Sequence, residues 1–222
     1  MTNTQPNVNR FALHCHDGVA LRAEMIEAAE PGHAAAVLCH PHPLHGGNMY
    51  SHVIGGLFTG LPRQGISTLR FNFRGTSGSE GRHDGGNAER LDVLAAIEHF
   101  EHAEAEAQPV ILIGYSFGAL VSLRVQHRSI AGWIAIAPPL SATPADSAID
   151  SFQATTSSQG PKHIVVGSDD KICHSETLAR HVAQWTNTTV AVLPGEDHFL
   201  ATANDRILQI VGDAAAAITG RN

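Results

Sequence analysis

The chain is poor in lysine: of its 14 cationic residues only Lys162 and Lys171 are lysines, and no basic run occurs anywhere. With a formal charge of −7 when the histidines are neutral, it lacks the positive face that a nucleic acid or an anionic membrane would bind. No apolar run reaches the roughly 18 residues that a membrane-spanning helix needs. Residues 1–10, Met-Thr-Asn-Thr-Gln-Pro-Asn-Val-Asn-Arg, have neither the basic start nor the apolar stretch of a signal peptide, and read as a loose tail. Cysteine is scarce too. Cys15, Cys39 and Cys173 are odd in number and unpatterned, as expected of reduced thiols in a cytoplasmic protein.

What is present is enough for a core. The hydrophobic fraction is 43% over 222 residues, a length that α/β folds reach undivided, so 1–222 reads as one domain. Alternation on either side of His16-Asp17-Gly18 predicts a hairpin over Arg10 to Glu27. Apolar runs predict strands at Ala34–Cys39, Ile66–Phe73, Val110–Ile113, Trp133–Ala137, His163–Gly167 and Thr189–Leu193. Helical spacing predicts a helix carrying Val53, Ile54, Leu57, Phe58 and Leu61, the alanine- and glutamate-rich Ala88–Ala107 reads as a second, and helical spacing predicts two more over Glu176–Trp185 and Asp205–Ile218. In the third of these, His181 shares a stripe with Leu178, Val182 and Trp185 and reads as a packing residue. A hairpin followed by alternating strands and helices implies an α/β fold with a mostly parallel, doubly wound sheet covered on both faces. Functional loops of such sheets gather at the carboxyl ends of the strands.

Three of those ends carry chemistry. Pro109-Val-Ile-Leu-Ile-Gly-Tyr-Ser-Phe-Gly118 is a buried strand running into Gly-x-Ser-x-Gly and then a helix. That corner forces the hydroxyl of Ser116 into the open, and glycines flank it because larger side chains would collide. A neutral serine needs a base, and the base needs an orienting acid. After the strand at 163–167 stand Asp169 and Asp170, and after the last strand stands His198. Serine, acid, histidine is the chain order this architecture uses. The N–H of Phe117, directly after the serine, is one candidate donor to a developing oxyanion.

On these residues the chain resembles the α/β-hydrolase superfamily along essentially its whole length. More narrowly, it resembles small lidless bacterial serine hydrolases that carry His40-Pro41-His42-Pro43 and Arg70-Phe71-Asn72-Phe73-Arg74-Gly75. The resemblance implies that Asp170, three residues beyond Gly167, is the acid, with Asp169 the rival. It implies that His198, ahead of the aromatic Phe199, is the base, and that His42 supplies the second oxyanion N–H, with Leu44 the runner-up. Cys173 departs from the pattern, which has an aliphatic residue there. Pro138–Lys162 leaves room for a short helix at most, where many relatives insert a lid. The implied activity is hydrolysis of carboxylic esters or thioesters of small or exposed acyl substrates, through an acyl-enzyme on Ser116 and without a cofactor. Amide, peptide or carbon–carbon cleavage by the same triad stays open, as does a non-catalytic ligand-binding protein. Cys39, His40, His42 and His45 look like metal ligands, but alternate prolines point them apart and no zinc spacing is met, so no metal is expected.

Overall fold

The computed structural model describes residues 7–28, 34–103, 108–140, 152 and 154–220. Strands β1 (Asn9–His14), β2 (Ala20–Ile26), β3 (Ala34–Cys39), β4 (Ile66–Phe71), β5 (Val110–Tyr115), β6 (Ile130–Ile136), β7 (Lys162–Gly167) and β8 (Thr188–Leu193) form one sheet in the order β1-β2-β4-β3-β5-β6-β7-β8. The pairs β1/β2 and β2/β4 are antiparallel, and all others are parallel.

The two central strands β3 and β5 are buried at every residue, yet their side chains still sort by twos. Val110 and Leu112 join one core with Val93 and Ile97 of α2 (Glu89–Ala103), Val121 of α3 (Phe117–Ser122) and Leu178 of α4 (Ser175–Val182). Ile111 and Ile113 join the opposite core with Val53 and Leu57 of α1 (His52–Gly60) and Ile207 and Val211 of α5 (Asn204–Ile218). Helices on both faces are why these strands read as unbroken apolar runs rather than alternating ones. At the sheet edge β8 exposes Val190 and Val192.

Several expectations need correction. Asn9 and Arg10 are not tail but the start of β1, paired with Met25 and Glu24. The strand expected over Ile66–Phe73 ends at Phe71; Asn72 still donates its N–H to Arg22 C=O at 2.9 Å, and its side chain engages Met49 N–H and Ser77 C=O. Asn72 and Arg74, polar residues that alternate with Phe71 and Phe73, are buried. His181 is an exposed residue beside Thr177 C=O rather than a packing one, and α4 stops at Val182. Residues 137–161 join β6 to β7, too few for an inserted lid domain. Residues 154–157 are helical, while 141–151 and 153 lie outside the described residues.

A buried ionic cluster ties the loop after β4 to the rest. Asp92 of α2 accepts from the Arg74 N–H and Nε, both at 2.8 Å, and Arg74 Nη1 lies 2.7 Å from Asp17 in the hairpin turn. The Asp92 side chain is fully buried and that of Arg74 nearly so. Removing one member strands the other's charge, which costs more than the pair contributes. Asp92→Ala should therefore lower unfolding free energy by about 3–5 kcal/mol in urea titrations, and Asp92→Asn by less. A loss near zero for Asp92→Ala would show that Asp17, with or without water, satisfies Arg74 alone.

Candidate active site

The site is built where β5 turns into α3. Ser116 sits at that corner with φ 54° and ψ −116°, a left-handed conformation costing a non-glycine residue about 1–3 kcal/mol. The neighbouring glycines show why the turn can be so sharp. A Cβ on Gly114 would stand 2.4 Å from Gly118 C=O, and one on Gly118 would stand 2.2 Å from Cys39 C=O. The first turn of α3 thus lies against the end of β3.

Two other strand ends complete a hydrogen-bonded chain. Ser116 Oγ is 3.0 Å from His198 Nε2, and His198 Nδ1 is 2.8 Å from Asp170 Oδ2. A carboxylate only accepts, so Nδ1 carries the imidazole proton and Nε2 is left to accept from the serine hydroxyl. Asp170 Oδ1 accepts the Ile172 and Cys173 N–H groups at 2.8 and 2.7 Å. All three side chains belong to buried residues.

Asp169 lies elsewhere. Its N–H donates to Glu196 C=O, and its carboxylate takes the Ser168 hydroxyl. The first of these bonds joins the β7 and β8 loops, as does the Gly195 N–H to Ser168 Oγ at 2.9 Å. The β8 loop is also fastened to the elbow, because Tyr115 O–H donates to His198 C=O at 2.9 Å. Tyr115 was not among the candidates taken from the sequence. Its one signal is a hydroxyl at the end of an otherwise apolar strand.

On the other side of the serine, the loop after β3 brings in His42. Its ring meets the Phe117 ring at 4.9 Å between centroids. Among the described residues, neither the His42 N–H nor the Phe117 N–H donates a hydrogen bond, whereas the Leu44 N–H donates to His42 Nδ1. Two unengaged amides therefore belong to residues in ring contact at the elbow, and Leu44 is already committed.

A family model described as an alpha/beta hydrolase domain matches residues 33–212. The chain belongs to this family. An alpha/beta serine hydrolase homologue from Coxiella burnetii is 29% identical, with a TM-score of 0.82 over 96% of this chain and 98% of that one. A serine hydrolase without lid from Xanthomonas campestris is 25% identical, with a TM-score of 0.77 over 96% and 93%. An uncharacterized protein of Rickettsia prowazekii is 28% identical over 195 residues, covering 84% of this chain and 80% of its own. Among the described residues of this alpha/beta hydrolase, no helix is long and apolar enough to cross a membrane.

Two of the four residues that resembled metal ligands, Cys39 and His40, are committed within the fold. Cys39 is fully buried in β3. His40 is buried as well, with Nδ1 2.6 Å from Pro41 C=O and the Phe73 N–H donating to Nε2 at 3.0 Å. It links the end of β3 to the end of β4 and so shapes the loop that carries His42. The Cys173 thiol, beside Asp170, is pushed up to about 12, chiefly by burial and then by that carboxylate, so it is no thiolate nucleophile at neutral pH.

Burial, partly offset by the Pro41 carbonyl, lowers the His40 pKa from 6.5 to about 4. The unfolded chain then binds the extra proton first, so the contribution of neutral His40 is complete above pH 6.5 and is lost as pH falls toward 4. The shift corresponds to about 3 kcal/mol of lost stability across that window. Urea unfolding at pH 7 and pH 4.5 should show a fall that His40→Gln reduces. The His40 ring resonances should stay neutral down to about pH 4, and titration near 6.5 would contradict the assignment.

Proposed function

We propose that this protein is a serine hydrolase that cleaves carboxylic esters, or thioesters, through an acyl-enzyme on Ser116. The observation that carries the reading is the unbroken chain from Ser116 Oγ through His198 to Asp170, at 3.0 and 2.8 Å, beside two unengaged amides.

In this reading the bare Nε2 of His198 takes the serine proton as Oγ bonds to the carbonyl carbon. Asp170 keeps the ring in the required tautomer and stabilises the imidazolium. The carbonyl oxygen, now an anion, is received by the N–H groups of Phe117 and His42, each lowering the barrier by about 3 kcal/mol. Collapse of the intermediate breaks the carbon–oxygen or carbon–sulfur bond, and His198 Nε2–H protonates the departing alcohol or thiol. Water then repeats the sequence on the acyl-serine and releases the acid.

The surroundings favour an apolar, accessible substrate. Among the described residues the exposed large hydrophobics are Leu44, Tyr50, Ile172, Val190, Val192 and Phe199. Leu44 is 72% exposed two residues after His42, Phe199 is 63% exposed directly after His198, and Ile172 is 45% exposed beside Asp170. Three of the six thus stand on the loops that carry the site, where apolar surface left in water is a ready contact for an acyl or aryl group. The likeness to the lidless Xanthomonas protein supports the same open mouth.

A fluorophosphonate probe should label the Ser116 peptide and fail to label Ser116→Ala. In the same preparations Asp170→Asn should lower kcat by roughly 10⁴ while Asp169→Asn changes it little; the reverse ranking would move the acid to Asp169. On a series of aryl esters, short acyl groups should be turned over fastest. Phe199→Ala should raise KM by up to about tenfold with kcat nearly unchanged, whereas a steep preference for long acyl chains would argue against an open, short-acyl site.

A further inference from the structure

The two unengaged amides belong to different elements: the loop after β3 holds His42, and α3 holds Phe117. Their separation must be kept to a fraction of an ångström if both are to reach one oxygen. The backbone contact of Gly118 with the end of β3 sets part of it. The side chains add a second constraint, supplied by a third element.

That element is the loop after β4. The His83 ring lies against both amide-bearing residues, 5.1 Å between centroids from His42 and 5.3 Å from Phe117, which themselves meet at 4.9 Å. His45 closes the cluster against His42 at 4.7 Å. Behind His83 stands the fully buried carboxylate of Glu89, at the start of α2. Its two oxygens accept the Asp84 and Gly86 N–H groups, each at 2.8 Å, and fix the peptide that follows His83. His83 Nδ1 comes within 2.7 Å of Glu89 Oε1 but off the hydrogen-bond line, and this buried nitrogen has no aligned partner among the described residues.

Packing alone does not account for that arrangement. A ring serving only to fill space would be apolar, because a poorly satisfied buried nitrogen is unfavourable. We infer that His83 is a positioning residue for the two oxyanion amides, acting through the rings of His42 and Phe117 and held in place by the Glu89 carboxylate. The inference rests on the serine-hydrolase reading above. It makes the loop after β4, which contributes nothing to the Ser116–His198–Asp170 chain, a determinant of turnover.

The test compares wild type, Ser116→Ala, His83→Phe and His83→Gln for kcat and KM on an aryl acetate and for thermal midpoint. Phenylalanine keeps the ring contacts and loses the polar atom beside Glu89, while glutamine keeps a polar group there. His83→Phe should lower kcat about tenfold with KM within about twofold and the midpoint unchanged, because misplaced amides cost transition-state rather than ground-state binding. His83→Gln keeps a polar atom there but loses both ring contacts, so it should lower kcat as well, again with the midpoint unchanged. Wild-type kcat in His83→Phe, a change confined to KM, or equal losses in both variants with a lowered midpoint would each overturn the inference. Turnover persisting in Ser116→Ala would instead remove the hydrolase reading, and this inference with it.

Discussion

The close approach of α3 to the end of β3 governs the rest of the site. A helix can begin directly against a strand end only if the residues in contact have no Cβ, and Gly114 and Gly118 meet that condition with backbone atoms 2.2–2.6 Å from where a Cβ would lie. The chain must then turn within one residue, which places Ser116 in a left-handed conformation. The strain is sustained because both flanks are rigid: β5 is buried on both faces, and α3 is packed beneath it. The same contact brings Phe117 beside His42.

Around that fixed corner, the other groups arrive on loops that would be mobile if left alone, and each is tied by specific bonds. Tyr115 O–H holds His198 C=O, Asp169 N–H holds Glu196 C=O, and the Ile172 and Cys173 amides hold Asp170. His40 joins the β3 loop to the end of β4 as a neutral imidazole, using one ring nitrogen as donor and the other as acceptor. These ties use backbone groups that a loop would otherwise have to present to water. Satisfying them and positioning the reactive side chains are the same act.

How far this was legible in the sequence depends on the kind of feature. Strands β3 and β5 and helices α1 and α5 could be read closely, because apolar period and run length report directly on burial. The end of β4 could not, since Arg70, Asn72 and Arg74 alternate as an exposed strand would. Their polar groups are instead satisfied inside the fold, by Glu24, Met49, Ser77, Asp92 and Asp17. His181 fell on the apolar stripe of α4, yet that helix ends one residue later and leaves the ring in solvent. Periodicity assigns residues to faces but says nothing of how far a neighbouring layer extends.

The site divides in the same way. Ser116, Phe117 and His198 were nameable in advance because each follows the end of a predicted strand, and strand ends are countable in a sequence, whereas Asp170 and His42 were singled out from their neighbours by the family resemblance. Local chemistry also determined the need for small residues at 114 and 118. Only the tertiary structure decided which of two adjacent aspartates lies 2.8 Å from His198, whether His42 or Leu44 keeps its amide unengaged, that Tyr115 bonds to His198 C=O, and that His83, with Glu89 behind it, packs on His42 and Phe117. Those outcomes turn on angles and distances of a few tenths of an ångström between segments far apart in the chain. Such distances are set by packing of the whole sheet and its helices, which no local pattern encodes.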